Sequence, residues 1–86
     1  MSKLIYFKRY LFIIDRLRSR PSNFIELQEY VIRKFEKKDI DFEYSIRTFE
    51  RDKIEISEIF GISIQYNRKD RTYSIDDEEI EDQSVT

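Results

Sequence analysis

Residues 45–62 read SIRTFERDKIEISEIFGI, and this stretch decides the fold. Ser45 is a good N-cap residue, and Tyr44 before it can pack on Phe49, four positions inside a helix. Gly61, the single glycine of the chain, stands where a helix often ends in a left-handed residue. The stretch therefore predicts a helix with well-defined ends. Its inward-facing apolar side is formed by Ile46, Phe49, Ile56, Ile59 and Phe60.

The opposite side of this helix has a different chemistry. At 100° per residue, about 60° of its circumference holds Arg47, Arg51, Ile54 and Glu58, with Thr48 at one edge. Hydroxyls, backbone N–H groups and two arginines at a helix N-terminus suit phosphate oxygens and the O6/N7 edge of guanine. Arg51 can equally form an i,i+4 pair with Glu55 on a solvated face, so the residues alone leave both interpretations open.

Two helices are expected to precede it. The first runs from about Lys3 to Arg18, and Pro21 prevents its continuation. The second begins near Asn23, which forms a capping-box pattern with Glu26. The stretch EKKDIDFE at 36–43 then breaks the helical period and predicts a loop. The inward side of the first helix is predicted to be Leu4, Phe7, Tyr10, Leu11, Ile14 and Leu17, and that of the second Phe24, Leu27, Val31 and Phe35.

The first helix has apolar residues outside this inward stripe as well. They are Ile5, Tyr6, Phe12 and Ile13. A helix that is apolar around most of its circumference needs a second partner surface. That surface is either the rest of the same domain or a second subunit. We predict the second case, a homodimer contact formed by these residues.

A β-hairpin is expected after the glycine. Apolar and polar residues alternate over 62–66 and again over 73–75, on either side of the polar turn NRKDR at 67–71. The turn has no glycine, so Asn67 or Asp70 is expected to adopt a positive φ angle. Its cations are Arg68, Lys69 and Arg71. Three helices followed by a two-stranded hairpin predict an α+β fold, the winged helix-turn-helix.

Composition separates this domain from the end of the chain. Residues 76–82 (DDEEIED) hold six of the 18 acidic residues, which leaves twelve acids against 16 bases in residues 1–75. The sequence therefore predicts a basic winged-helix domain over 1–75 and an acidic linker or disordered tail over 76–86. Without any Cys or His, the chain lacks the usual nucleophiles and metal ligands, so we expect no enzyme, cofactor or metal site. No apolar run predicts a membrane span, and the expected location is the cytoplasm.

The segments SIRTFERD at 45–52, FGI at 60–62 and YSI at 73–75 resemble the N-terminal DNA-binding domain of bacterial WYL-domain transcriptional regulators, which are related to DeoR-type repressors. The resemblance covers about residues 6–76. It implies that the helix opened by SIRT is a recognition helix, with DNA contacts from Ser45, Arg47, Thr48 and Arg51. Such regulators carry a C-terminal ligand-sensing region, so the resemblance implies that this chain is an N-terminal fragment.

Asp52 also matches the family pattern. It borders the core side of the helix, and we expect it to form a structural salt bridge rather than a DNA contact. Arg68, Lys69 and Arg71 are expected to neutralise phosphates beside the groove.

The sequence thus predicts a domain that binds double-stranded DNA sequence-specifically as part of a bacterial transcriptional regulator, acting as a dimer. The alternative is a winged-helix module for protein–protein interaction or dimerisation without DNA binding, which the apolar first helix favours.

Overall fold

Helices precede a β-hairpin in the computed structural model, which describes residues 3–40 and 43–75. Within these residues the elements are α1 (Lys3–Ser19), α2 (Phe24–Glu36), α3 (Ile46–Phe60), β1 (Ile64–Asn67) and β2 (Thr72–Ile75). The two strands pair antiparallel, with Ile64 opposite Ile75 and Asn67 opposite Thr72. This confirms the α+β fold and the element order of a winged helix-turn-helix.

The acidic linker or disordered tail predicted at 76–86 lies outside the described residues. Within the described part of the chain, no helix is long and apolar enough to cross a bilayer.

The predicted helix boundaries are confirmed by their caps. Asn23 and Glu26 form a reciprocal capping box at the start of α2, with each side chain accepting a hydrogen bond from the other's backbone N–H at 2.8 and 2.9 Å. Ser45 Oγ accepts from the Thr48 N–H at the start of α3. At the end of α3, Gly61 has φ 67° and donates its N–H to the Ser57 carbonyl at 3.0 Å. The lone glycine is therefore the left-handed residue that the sequence predicts.

The core of α2 and α3 follows the predicted stripes closely. Leu27, Val31 and Phe35 of α2 are fully buried, as are Phe49 and Ile56 of α3. Ile46 and Ile59 are the exceptions, because about half of each side chain is exposed. The apolar stripe of α3 is thus narrower than the sequence predicts.

The rotation of α1 differs from the prediction. Ile13 is 0% exposed, so the expectation that it lies outside the core is wrong. Ile5 and Phe12 are partly buried against the core, and the edge of the Phe12 ring packs on Phe35 at 5.2 Å. Tyr6 is exposed, as predicted. Leu4, Phe7 and Leu11 are predicted to face inward but are 61%, 43% and 46% exposed, so that part of the stripe is wrong.

A buried ion pair between α1 and α3 explains this rotation. The Arg9 guanidinium donates from Nε and Nη2 to the two carboxylate oxygens of Asp52, each at 2.6 Å. Asp52 is fully buried and Arg9 is nearly so. A periodicity argument places an arginine on the outer side of the helix, but here Arg9 faces inward together with Ile13, one turn later. The salt bridge expected of Asp52 is confirmed.

Tyrosine side chains complete the surroundings of this ion pair. The Tyr44 hydroxyl donates to Asp52 Oδ2 at 2.7 Å, and the Arg9 guanidinium lies 5.1–5.7 Å from the ring centroids of Tyr6, Tyr10 and Tyr44. Burial, and then the charge and hydrogen bond of Asp52, raise the pKa of Tyr44, which keeps its hydroxyl protonated as a donor. Burial alone lowers the pKa of Arg9, but the Asp52 hydrogen bond and charge outweigh it, and the net shift is upward. The Arg9 guanidinium therefore stays charged.

A single-residue β-bridge joins the hairpin to the helices. Ser22, between α1 and α2, exchanges two backbone hydrogen bonds with Tyr73 of β2, at 3.0 and 2.7 Å. The Ser22 side chain accepts from Arg16 Nε at 2.9 Å, so this bridge is also held to α1. The sequence does not predict this contact, because a single residue carries no alternating pattern.

The Arg9–Asp52 pair yields a stability prediction. Asp52→Asn is expected to lower the free energy of unfolding by ~3–5 kcal/mol, because it removes the carboxylate charge that faces the buried Arg9 guanidinium. The triple variant Arg9→Met, Asp52→Leu, Tyr44→Phe replaces all three polar groups by apolar ones and is expected to be more stable than Asp52→Asn alone. Urea unfolding followed by circular dichroism measures both. A free energy for Asp52→Asn within ~0.5 kcal/mol of the parent would contradict the prediction.

Candidate nucleic-acid interface

The exposed face of α3 is the one that the sequence predicts. Phe49, Asp52 and Ile56 point into the core, so the opposite side of the helix is turned to solvent. Arg47 and Arg51 are exposed on that side, and Ile54 is 62% exposed one turn after Arg51. The described structure therefore presents a helix face with two guanidinium groups, one apolar side chain and the exposed carboxylate of Glu58.

Ser45 and Thr48 shape the first turn of α3. Ser45 Oγ accepts the Thr48 N–H at 3.2 Å, and the two hydroxyl oxygens are 3.1 Å apart. The two hydroxyls therefore form a hydrogen bond with each other, and that of Ser45 also caps the first turn of α3. The N–H groups of Ile46 and Arg47 belong to the first turn, where an α-helix provides no backbone acceptor, and so they are available to an anion.

The hairpin β1–β2 is the wing, and its turn at 67–71 is held by Asn67. Its side-chain oxygen accepts from the N–H groups of Lys69 and Asp70, at 2.9 and 3.3 Å, and its carbonyl accepts from the Arg71 N–H at 2.7 Å. Arg71 has φ 58°, so the expectation of a positive φ at Asn67 or Asp70 is wrong. The reason is that Asn67 fixes the turn through its side chain, and the left-handed residue is the one that returns the chain to β2. The side chains of Arg68, Lys69 and Arg71 are all exposed at this tip.

Tyr73 positions the hairpin against α3. Its ring packs edge-on against Phe49 of α3 at 4.8 Å and lies 4.8 Å from the Tyr66 ring of β1. Lys53 Nζ lies 5.1 Å from the Tyr73 ring centroid and 5.7 Å from that of Phe49. Lys53 also pairs with Glu50 at 2.9 Å, which neutralises that carboxylate on the helix. Aromatic packing and a cation–π contact thus hold the wing beside α3.

A groove separates α3 from the hairpin. It has a volume of ≈ 380 Å³, and the exposed face of α3 forms one wall while the start of β1 forms the other. Its lining residues are Lys53, Ile54, Ser57, Glu58, Ser63 and Ile64. The α3 face and the hairpin therefore border one concave surface.

The cations predicted to bind DNA have no protein partner within the described residues. Over 3–40 and 43–75, no hydrogen bond or ion pair is made by the side chains of Arg47, Arg51, Arg68, Lys69 or Arg71. The alternative i,i+4 pair of Arg51 with Glu55 is not formed there. Within the described part of the chain, these five positive charges are therefore unpaired.

Sequence reasoning missed residues that act indirectly on this surface. Arg9 orients α3 through Asp52, and Lys53 connects α3 to the wing. An acidic residue inside an apolar stripe, as Asp52 is between Phe49 and Ile56, signals a buried cation. It does not say which of the arginines is its partner. Within the described residues, no group of three or more acidic side chains is placed to hold a metal ion.

Comparisons with models of protein families, with curated proteins and with solved structures give no match for the chain.

Proposed function

We propose that this chain binds double-stranded DNA with the exposed face of α3 in the major groove and the wing on the flanking backbone. The observation that carries the proposal is the set of exposed cations on these two neighbouring elements, which have no protein partner within the described residues. Phosphates are the anions that such a surface suits, because they are spaced along a duplex and attract both positive elements at once.

The two elements would play different roles. Arg47 and Arg51 are positioned on one helix face, where guanidinium forks can pair with the O6 and N7 atoms of guanine. Arg68, Lys69 and Arg71 lie on a turn, where contacts to phosphates fix position and orientation without reading sequence. Ser45 and Thr48 support the first turn of α3, and their contribution is phosphate binding at the helix N-terminus.

The regulatory role rests on sequence resemblance. The SIRTFERD, FGI and YSI segments are similar to those of WYL-domain regulators, and the described structure places SIRTFERD at the start of the exposed helix and YSI in β2. In this proposal the chain is the DNA-binding part of a cytoplasmic bacterial transcription regulator without catalytic activity.

The first prediction of this binding mode concerns base recognition. Arg47→Ala and Arg51→Ala are each expected to weaken binding to a duplex selected from a random pool by ~1–3 kcal/mol, because each removes one guanidinium contact. Arg33→Ala, an exposed arginine on α2, is the matched control and should bind like the parent. Fluorescence anisotropy measures the affinities, and thermal unfolding checks that each variant folds. Equal affinities for the parent and the Arg47/Arg51 double variant would refute the role of α3.

The second prediction concerns the wing. Arg68→Ala and Lys69→Ala are expected to weaken binding to all duplexes alike, because phosphate contacts carry no sequence information. Each lost contact should reduce the slope of log affinity against log salt concentration by about 1. Asp70→Asn, which removes a charge from the same turn without removing a cation, is the control. Slopes that stay at the parent value in both variants would show that the wing makes no phosphate contact.

A second copy of the chain is the partner that we propose for α1. The observation that favours it is the outward apolar face of Leu4, Phe7 and Leu11, continued by the contact of the Phe7 and Phe60 rings at 5.5 Å. Of the predicted set Ile5, Tyr6, Phe12 and Ile13, Tyr6 is exposed, but Ile13 is in the core and Phe12 packs on Phe35. A two-fold dimer would place two α3 helices on successive half-sites.

The dimer proposal has its own test. Leu11→Glu is expected to shift sedimentation toward the monomer and to weaken binding to a two-half-site duplex, because it places a charge in the contact. Ile25→Glu makes the same change at an exposed isoleucine of α2 and should leave sedimentation unchanged. If the parent is monomeric at every concentration, the face does not join two copies. If Leu11→Glu abolishes a contact with another protein while duplex binding is absent in the parent, the alternative of a protein-interaction module is supported instead.

A further inference from the structure

Ile54 is an apolar side chain in the middle of an otherwise polar helix face. It is 62% exposed, although its neighbours Asp52 and Ile56 are fully buried. The groove beside it is open to solvent and is shared with Lys53, Ser57 and Ile64. The described packing therefore leaves most of this side chain uncovered, on the same side of α3 as Arg47 and Arg51.

We infer that Ile54 reads a thymine by packing against its 5-methyl group, an inference that rests on the proposed function. In the major groove, the thymine methyl is the one apolar group that distinguishes a base pair, and apolar side chains are its usual partners. A helix face that offers arginines for guanine and an isoleucine for thymine is able to specify a mixed sequence. A face that bound the duplex through phosphates alone would gain nothing from an exposed isoleucine.

Helix geometry places this thymine relative to the bases under the arginines. Ile54 follows Arg51 by three residues and Arg47 by seven, and an α-helix rises 1.5 Å per residue. Where α3 follows the groove, these separations correspond to about one and about three base-pair steps of 3.4 Å. The selected site should therefore hold a thymine within about one or two base pairs of the guanine read by Arg51.

The charges around Ile54 favour a base edge over the backbone as its partner. Glu58 is exposed one turn further along the same face, and its carboxylate would repel a phosphate placed near this end of the face. Lys53 on the other side is already paired with Glu50 at 2.9 Å and packs on the Tyr73 ring. The cationic end of the face thus lies toward the N-terminus of α3, and the Ile54 end is apolar and acidic.

The test removes only the methyl group. Starting from the duplex that the full chain selects from a random pool, each thymine is replaced singly by uracil, which pairs identically but lacks the 5-methyl. We expect one thymine whose replacement weakens binding by the parent about fourfold, the value of one buried methyl group. In Ile54→Ala the same replacement should change the affinity by less than about twofold. Ile59→Ala is the matched control, because Ile59 lies on the same helix about 140° away and is 48% exposed; it should keep the fourfold loss.

The outcomes separate this inference from the proposed function. If the duplex is bound through Arg47 and Arg51, but no uracil replacement has an effect that Ile54→Ala removes, then DNA binding stands and the role of Ile54 is refuted. If no duplex is selected at all, both are refuted. Thermal unfolding of Ile54→Ala within a few degrees of the parent confirms that the variant is folded.

Discussion

The buried ion pair between Arg9 and Asp52 fixes how α1 and α3 pack against each other. It joins residues 43 positions apart, inside a core where an unpaired charge would be strongly unfavourable. Because Asp52 must face inward to meet Arg9, Phe49 and Ile56 face inward with it, and Arg47 and Arg51 are turned to solvent. The same pair sets the rotation of α1, which exposes Leu4, Phe7 and Leu11. One buried contact thus determines both surfaces to which we assign partners.

Much of this fold is readable from the sequence, and the residues show why the rest is not. The caps at Asn23, Ser45 and Gly61 depend on local hydrogen bonds and backbone angles, so local patterns predict them correctly. The rotation of α1 depends on a partner distant in sequence. Periodicity counts Arg9 as a polar, outward residue. It therefore places Leu4, Phe7 and Leu11 inside and Ile13 outside, although it places Tyr10, Ile14 and Leu17 correctly in the core. Asp52 signals a buried ion pair, but nothing in the sequence identifies Arg9 among the arginines.

The sequence predicts the α3 part of the candidate interface but not the contacts that position the wing. The face of α3 follows from 100° spacing, because its inward residues are strongly apolar. The contacts that place the wing do not follow from any pattern: Tyr73 bonds to the lone bridge residue Ser22, and Lys53 lies beside the Tyr73 ring. The sequence also does not predict the positive φ angle of Arg71, since Asn67 holds the turn with its side chain. These contacts pack β2 against α3, and the proposed binding mode requires the wing to lie beside that helix.

We assign duplex binding to the solvent-facing side of α3 together with the wing, and not to α1. The most direct measurement is a titration of the ¹⁵N-labelled chain with its selected duplex, followed by NMR through backbone amide and arginine side-chain resonances. We predict the largest shifts over residues 45–58 and 68–71, with Arg47 and Arg51 Nε–H signals among them, and small shifts along Leu4 to Leu11. Shifts concentrated on α1, with α3 and the wing unchanged at saturation, would contradict the assignment of duplex binding to α3 and the wing.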